Sequence, residues 1–175
     1  GPTAGPTRAP TPSECDYTDI DFETTGDGSI TGTSNSYVGS SSWSVYGLTV
    51  NAYSTNGGFT TVGNLTRFLD TEATTKELVD PNFSSPNVDC GGGGTGAGGT
   101  TSNCVGLGNV LIVQENESTT AMSNPGGGDI VFTFDDATTM LKLTVFNVQS
   151  GGEIIFKKTD GTEKEVTIPV MAINE

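Results

Sequence analysis

An all-β domain, a β-sandwich or jelly roll, is the fold class this 175-residue sequence predicts. Three observations predict it. Several short segments alternate apolar and polar residues at a period of two, which sends successive side chains to opposite faces of a strand. Thr, Ser, Gly and Asn are abundant, and no window holds apolar residues at helical spacing beyond two turns. Turn residues recur every 8 to 15 residues or so, the rhythm of antiparallel sandwiches. The length suits one domain with a single core.

Residues 1–14, "GPTAGPTRAPTPSE", hold four of the eight prolines and no large apolar side chain. They read as an extended Pro/Thr linker of the kind that spaces domains. The folded domain is expected over residues 15–175. The first expected strand covers 17–23 in "DYTDIDFETTGDG", where Asp19, Asp21 and Glu23 alternate with Ile20 and Phe22. The second, "SWSVYGLTVNAYS" over 42–54, alternates Trp43 and Val45, then Leu48, Val50 and Ala52, with Tyr46-Gly47 shifting the phase as a bulge does. "NVLIVQE" over 109–115 is a continuous apolar run, expected to be a central strand covered on both faces. "DIVFTFD" over 129–135 turns Ile130, Phe132 and Phe134 inward, and "MLKLTVFNVQ" over 140–149 is the next expected strand. "EIIFKKTDGTEKEVTIPV" reads as a hairpin whose Asp160-Gly161 pair supplies the positive φ angles of a tight turn. Pro169 suggests an edge position for its last strand, and Lys157, Lys158 and Lys164 guard that edge against sheet-to-sheet pairing.

The charge of −14, from 21 acids against seven bases, repels nucleic acid and anionic membranes. No run of 18 apolar residues exists, so no membrane insertion is expected. The opening Gly1-Pro2 resembles the scar of a removed tag, which leaves room for a targeting segment ahead of it. There is no histidine. That absence removes Ser-His-Asp and Cys-His nucleophile systems, histidine-based zinc and copper sites, and histidine general bases. Catalysis is left with a carboxylate pair, which sequence cannot select among 21 acids, or a Tyr/Lys/Arg lyase arrangement. The expectation is therefore a protein that is not an enzyme, with a polysaccharide-acting hydrolase or lyase as the alternative. A structural cell-wall or matrix protein is a further alternative.

Cys90 and Cys104 bracket the loop "GGGGTGAGGTTSN", a flexible insertion that lacks the Lys-Ser/Thr of a phosphate cradle. A disulfide between them is expected. Cys15 then is a free thiol or pairs beyond Glu175 in a longer parent chain. Asn64, Asn82 and Asn116 head glycosylation tripeptides. Together these indicate a secreted or cell-surface setting. Calcium, which takes six to eight oxygen ligands, is the cofactor the acids suggest. Asp19, Asp21 and Glu23 come from the first stretch, Asp70, Glu72 and Asp80 from "FLDTEATTKELVDPN" read as a polar loop, and Glu115, Asn124 and Asp129 from later segments. Trp43, Tyr46 and Tyr53 are the candidate platforms for a sugar ligand.

The segments "GLGNVLIVQENE", "NPGGGDIVFTFDD", "LKLTVFNVQSGGEI" and "EVTIPV" resemble a recurring module of secreted and surface proteins from diatoms and other algae, oomycetes and marine bacteria. The likeness covers about residues 17–170. It implies a wall or adhesion setting and points to Asp70, Asp80 and Glu115 as the acids nearest the module's recurrent acidic positions. Such modules continue for one or two strands past the position of Pro169, so the resemblance implies a sandwich lacking its last strands here. The expected function is a non-catalytic, calcium-stabilised extracellular adhesion or carbohydrate-binding module. Its partners would be a glycan or matrix protein and other domains of a longer parent chain.

Overall fold

The computed structural model describes residues 18–26, 36–39, 41–54, 65–72, 83–94, 104–114 and 126–171. Within them the protein is all-β. Six strands form three two-stranded antiparallel sheets, and the helical geometry is confined to two short 3-10 turns. Strand β1 (Leu48–Ser54) pairs with β4 (Gly128–Phe134), β2 (Thr66–Asp70) with β3 (Asn109–Val113), and β5 (Gly152–Lys157) with β6 (Glu163–Ile168). The linker expected over 1–14 and Cys15 lie outside the described residues.

β1 and β4 form as their alternation predicts. Leu48, Val50 and Ala52 sit opposite Phe134, Phe132 and Ile130, and these six side chains turn to one face. That face meets Phe68 of β2, Leu111 of β3, Val38 and Trp43 in the larger core cluster. Trp43 stands at its centre, 1% exposed, with Phe22 and Phe68 edge-on at centroid distances of 5.5 and 5.9 Å. Its indole Nε1–H donates to the Thr24 carbonyl at 3.0 Å, which meets the demand of a buried donor for a partner.

The sequence predicts no strand at β2, whose Phe68, Leu69 and Asp70 open a segment that reads as polar loop. This strand shows no alternation since both of its faces are covered. Phe68 and Leu111, a register pair, face the first core, whereas Leu69, Val110 and Ile112 pack on the other side with Phe83. The apolar run over 109–115 predicts this double cover, but β3 ends at Val113 and pairs with β2 in a two-stranded sheet among the described residues, so it is not the central strand expected. Arg67 is 3% exposed and lies across its bridge partner Tyr37, with the guanidinium carbon 4.7 Å from the ring centroid. Burial lowers its pKa, and Tyr37 acts weakly in the opposite sense.

Three expected strand segments differ in the structure. The acidic stretch is no strand over 18–23, because Phe22 takes φ 63° and breaks the extended path. The side-chain sides are nevertheless those the alternation implies, with Ile20 and Phe22 packed on the core. Residues 44–46 form a 3-10 turn rather than a bulged strand. It is closed by Gly47 at φ 64°, a conformation that favours glycine, so β1 begins at Leu48. Residues 140–149 form no ladder, and Asn147 sits at φ 56°. This segment is anchored by Phe146, which meets Phe83 edge-on at 5.6 Å.

The hairpin forms with a different turn. Lys158 N–H donates to the Thr162 carbonyl and Gly161 N–H to the Lys158 carbonyl, each at 2.9 Å. Gly161 alone of the pair has positive φ, at 82°. Three residues, Thr159-Asp160-Gly161, therefore make the loop, a turn followed by a glycine bulge. Asp160 accepts from Thr162 N–H at 2.8 Å, and this bond lowers its pKa. The stabilisation is present above the ordinary aspartate range and fades as pH falls through it.

A hydroxyl relay fastens the end of the β2–β3 ladder. Thr71 Oγ donates its one proton to the Gly108 carbonyl at 2.9 Å, so in the 2.6 Å contact with Ser85 the serine must be the donor. Ser85 Oγ in turn accepts from Leu107 N–H at 2.9 Å. Each hydroxyl gives one hydrogen bond and receives one.

Candidate functional site

The outward face of the β1–β4 ladder is the most ligand-like surface among the described residues. The alternation that buries Leu48, Val50 and Ala52 turns Thr49, Asn51 and Tyr53 outward. The register sets them opposite Thr133, Val131 and Asp129. Tyr53 is 52% exposed. Its direct cross-strand neighbour is the exposed carboxylate of Asp129, and Asn51 stands two residues away on the same face. The result is a ladder surface with one aromatic ring, one carboxylate, one amide, two threonine hydroxyls and the exposed Val131.

The three aromatic candidates separate. Tyr53 lies on this face. Tyr46 is 47% exposed but sits in the 3-10 turn before β1, with its ring edge beside Gly26. The strand rises from Leu48 to Tyr53 alone span about 17 Å, so the two tyrosines belong to different patches. Trp43 offers no face to a ligand, because its ring is enclosed by Phe22 and Phe68 in the core.

The acids expected to hold calcium are distributed as follows. Asp19 is exposed. Asp21 Oδ1 accepts from Glu23 N–H at 3.0 Å, and Asp70 Oδ1 accepts from Glu72 N–H at 2.9 Å, each closing a local turn. Glu23 reaches across to Asn109, taking its backbone N–H on Oε1 and its side-chain amide on Oε2 at 3.1 Å. Its carboxylate lies against Gly108, and that of Glu72 lies against Gly106. Asp70 is the register partner of Asn109, so these acids flank the entry to β3. Among the described residues no three His, Cys, Asp or Glu side chains assemble into an ion site. Asp80 and Glu115 lie outside the described residues, as do the glycosylation candidates Asn64, Asn82 and Asn116.

A disulfide joins Cys90 to Cys104 with their Cα atoms 5.2 Å apart, as the sequence leads one to expect. Sequence reasoning missed the Glu23–Asn109 clamp, whose partners are 86 residues apart and share no local signal. It also missed Asn51 and Val131 as neighbours of Tyr53 on this face, although their outward phase on β1 and β4 was readable. No helix among the described residues is long and apolar enough to cross a membrane. Comparison with known protein families, curated proteins and solved structures found no match.

Proposed function

We propose that this chain is a non-catalytic extracellular adhesion or carbohydrate-binding module, a β-sandwich in which the outer β1–β4 face takes a neutral glycan. One observation carries the proposal: Tyr53 stands half-exposed on the outward ladder face beside Asp129 and Asn51. An aromatic face stacks on the C–H side of a pyranose ring, and a carboxylate and an amide at its rim pair with sugar hydroxyls. The charge of −14 favours neutral sugars over sulfated or uronic ones, which it repels. The packing of the β1–β4 ladder on the β2–β3 ladder through Trp43, Phe68 and Leu111 supports the sandwich. The disulfide suits an oxidising compartment.

Binding to an array of neutral and sulfated glycans, followed by calorimetry on the best neutral hit, tests the reading. Tyr53→Ala is expected to weaken that binding about tenfold or more without moving the unfolding midpoint, because the ring packs into neither core cluster. An array with no neutral hit, or a hit indifferent to Tyr53→Ala and Asp129→Asn, removes the proposal.

Calcium enters the proposal as a stabilising ion. Asp21, Glu23 and Asp70 engage N–H donors among the described residues, and Asp80 and Glu115 are the other acids the proposal assigns to the ion. Calcium in about hundredfold excess over its dissociation constant is expected to raise the midpoint by about 5–10 °C, reversibly with EDTA. An unchanged midpoint takes calcium out of the proposal.

A further inference from the structure

The β5–β6 hairpin has one largely apolar face, on which Lys164 stands opposite Phe156, and two edges without a strand partner among the described residues. Ile154, Phe156, Val166 and Ile168 share one side of the ladder, with Phe156 38% and Val166 42% exposed, and Ile155 on the opposite side is 49% exposed. Residues 140–171 carry four lysines and four acids, so the −14 resides on the rest of the chain. This is therefore the surface on which two copies meet with least electrostatic repulsion.

The outer edge of β5 has a definite polarity. Lys158 directs its N–H and C=O toward Thr162 and Gly161 of the turn. The antiparallel alternation then points 156, 154 and 152 toward β6, and turns the backbone groups of Glu153, Ile155 and Lys157 outward. These three residues are the ones a further strand can bond.

We propose that a second copy of this chain adds at this edge, β5 against β5, antiparallel about a two-fold axis at Ile155. In that register Ile155 faces Ile155 of the second copy. Glu153 faces Lys157 of the second copy, and the same pair recurs across the axis, so the contact is isologous. Every outward N–H and C=O of the three residues finds a partner. Lys157 already bonds Glu163 across its own ladder at 2.6 Å, so it comes to lie between two carboxylates. On the other side, Phe156 meets Ile154 of the second copy and the apolar stripe becomes continuous over four strands. Sliding by one register step sets Lys157 opposite Gly151 or Ile155, which leaves Glu153 without its counter-charge. The glutamate–lysine match selects the register.

Sedimentation equilibrium of the full chain tests the proposal. The wild type is expected to show a monomer–dimer equilibrium that weakens with salt. Glu153→Lys sets lysine against lysine twice, and Lys157→Glu sets glutamate against glutamate twice, so each variant alone is expected to dimerise about tenfold more weakly. An equimolar mixture of the two regains both attractive pairs and is expected to associate like the wild type. Both positions are exposed, so Glu153→Lys should keep the wild-type unfolding transition, whereas Lys157→Glu, which also sets glutamate against Glu163 of its own ladder, should lower the midpoint slightly. A wild type that stays monomeric overturns the proposal and leaves the hairpin to a different protein or domain. Single variants that associate as tightly as the wild type, or a mixture that fails to recover, overturn it equally.

Discussion

Trp43→Ala is expected to lower the stability of this domain by about 3–5 kcal/mol, the cost of removing a large aromatic from a packed core. The side chain is 1% exposed. Its removal opens a cavity between Phe22, Phe68, Leu48 and Val50 and leaves the Thr24 carbonyl without its indole donor. Domains of this size have about 5–15 kcal/mol in total, so much of the margin disappears. Trp43 is the only tryptophan, so unfolding must be followed by circular dichroism rather than fluorescence. Trp43→Phe separates two contributions: it keeps an aromatic ring among the edge-on partners but not the bond to Thr24. A loss of about 1–3 kcal/mol is expected for it. If Trp43→Ala unfolds within 1 kcal/mol or so of the wild type, the core is not organised around this ring.

The second large effect is expected at the disulfide. Cys90 and Cys104 are 14 residues apart, and the chain-entropy treatment assigns a loop of that length about 3 kcal/mol. The double variant Cys90→Ser/Cys104→Ser, made with Cys15→Ser to prevent exchange, should lose about that much relative to Cys15→Ser alone. For a domain of this length the midpoint then falls by about 6–12 °C. Urea unfolding with and without reductant measures the same quantity on the unaltered chain. Identical curves would mean that the hydroxyl relay through Thr71 and Ser85 holds this region without the covalent link.

What the sequence disclosed follows from which surfaces meet water. β1 and β4 each keep one wet face, so Val50 and Phe132 alternate visibly with Asn51 and Val131 or Thr133, and both strands were legible with their inward residues. The hairpin was legible for the same reason, and its turn was misjudged by one residue because Asp160 keeps negative φ. β2 was illegible because both faces are covered and Arg67, which looks like a solvent residue, is buried over Tyr37. At 18–23 the alternation reported the sides correctly, whereas the left-handed Phe22 made a turn of what reads as a strand. The candidate face was half legible. Tyr53 stood out by phase, but its pairing with Asp129 depends on a register joining residues 76 positions apart (53 and 129), which no local pattern encodes. Trp43 shows the converse: an aromatic in an alternating stretch looks the same whether it greets a sugar or fills a core.

The Ser85–Thr71–Gly108 relay has one more consequence. It secures the chain just before Cys90 and just after Cys104, so both legs of the glycine-rich loop are pinned to the β2–β3 ladder independently of what joins them. Closure entropy grows only logarithmically, by about 0.6 kcal/mol for each doubling of length. This is accordingly the place where foreign peptides could be grafted for display, and where natural variants of differing length could arise, while the strands beneath stay as they are.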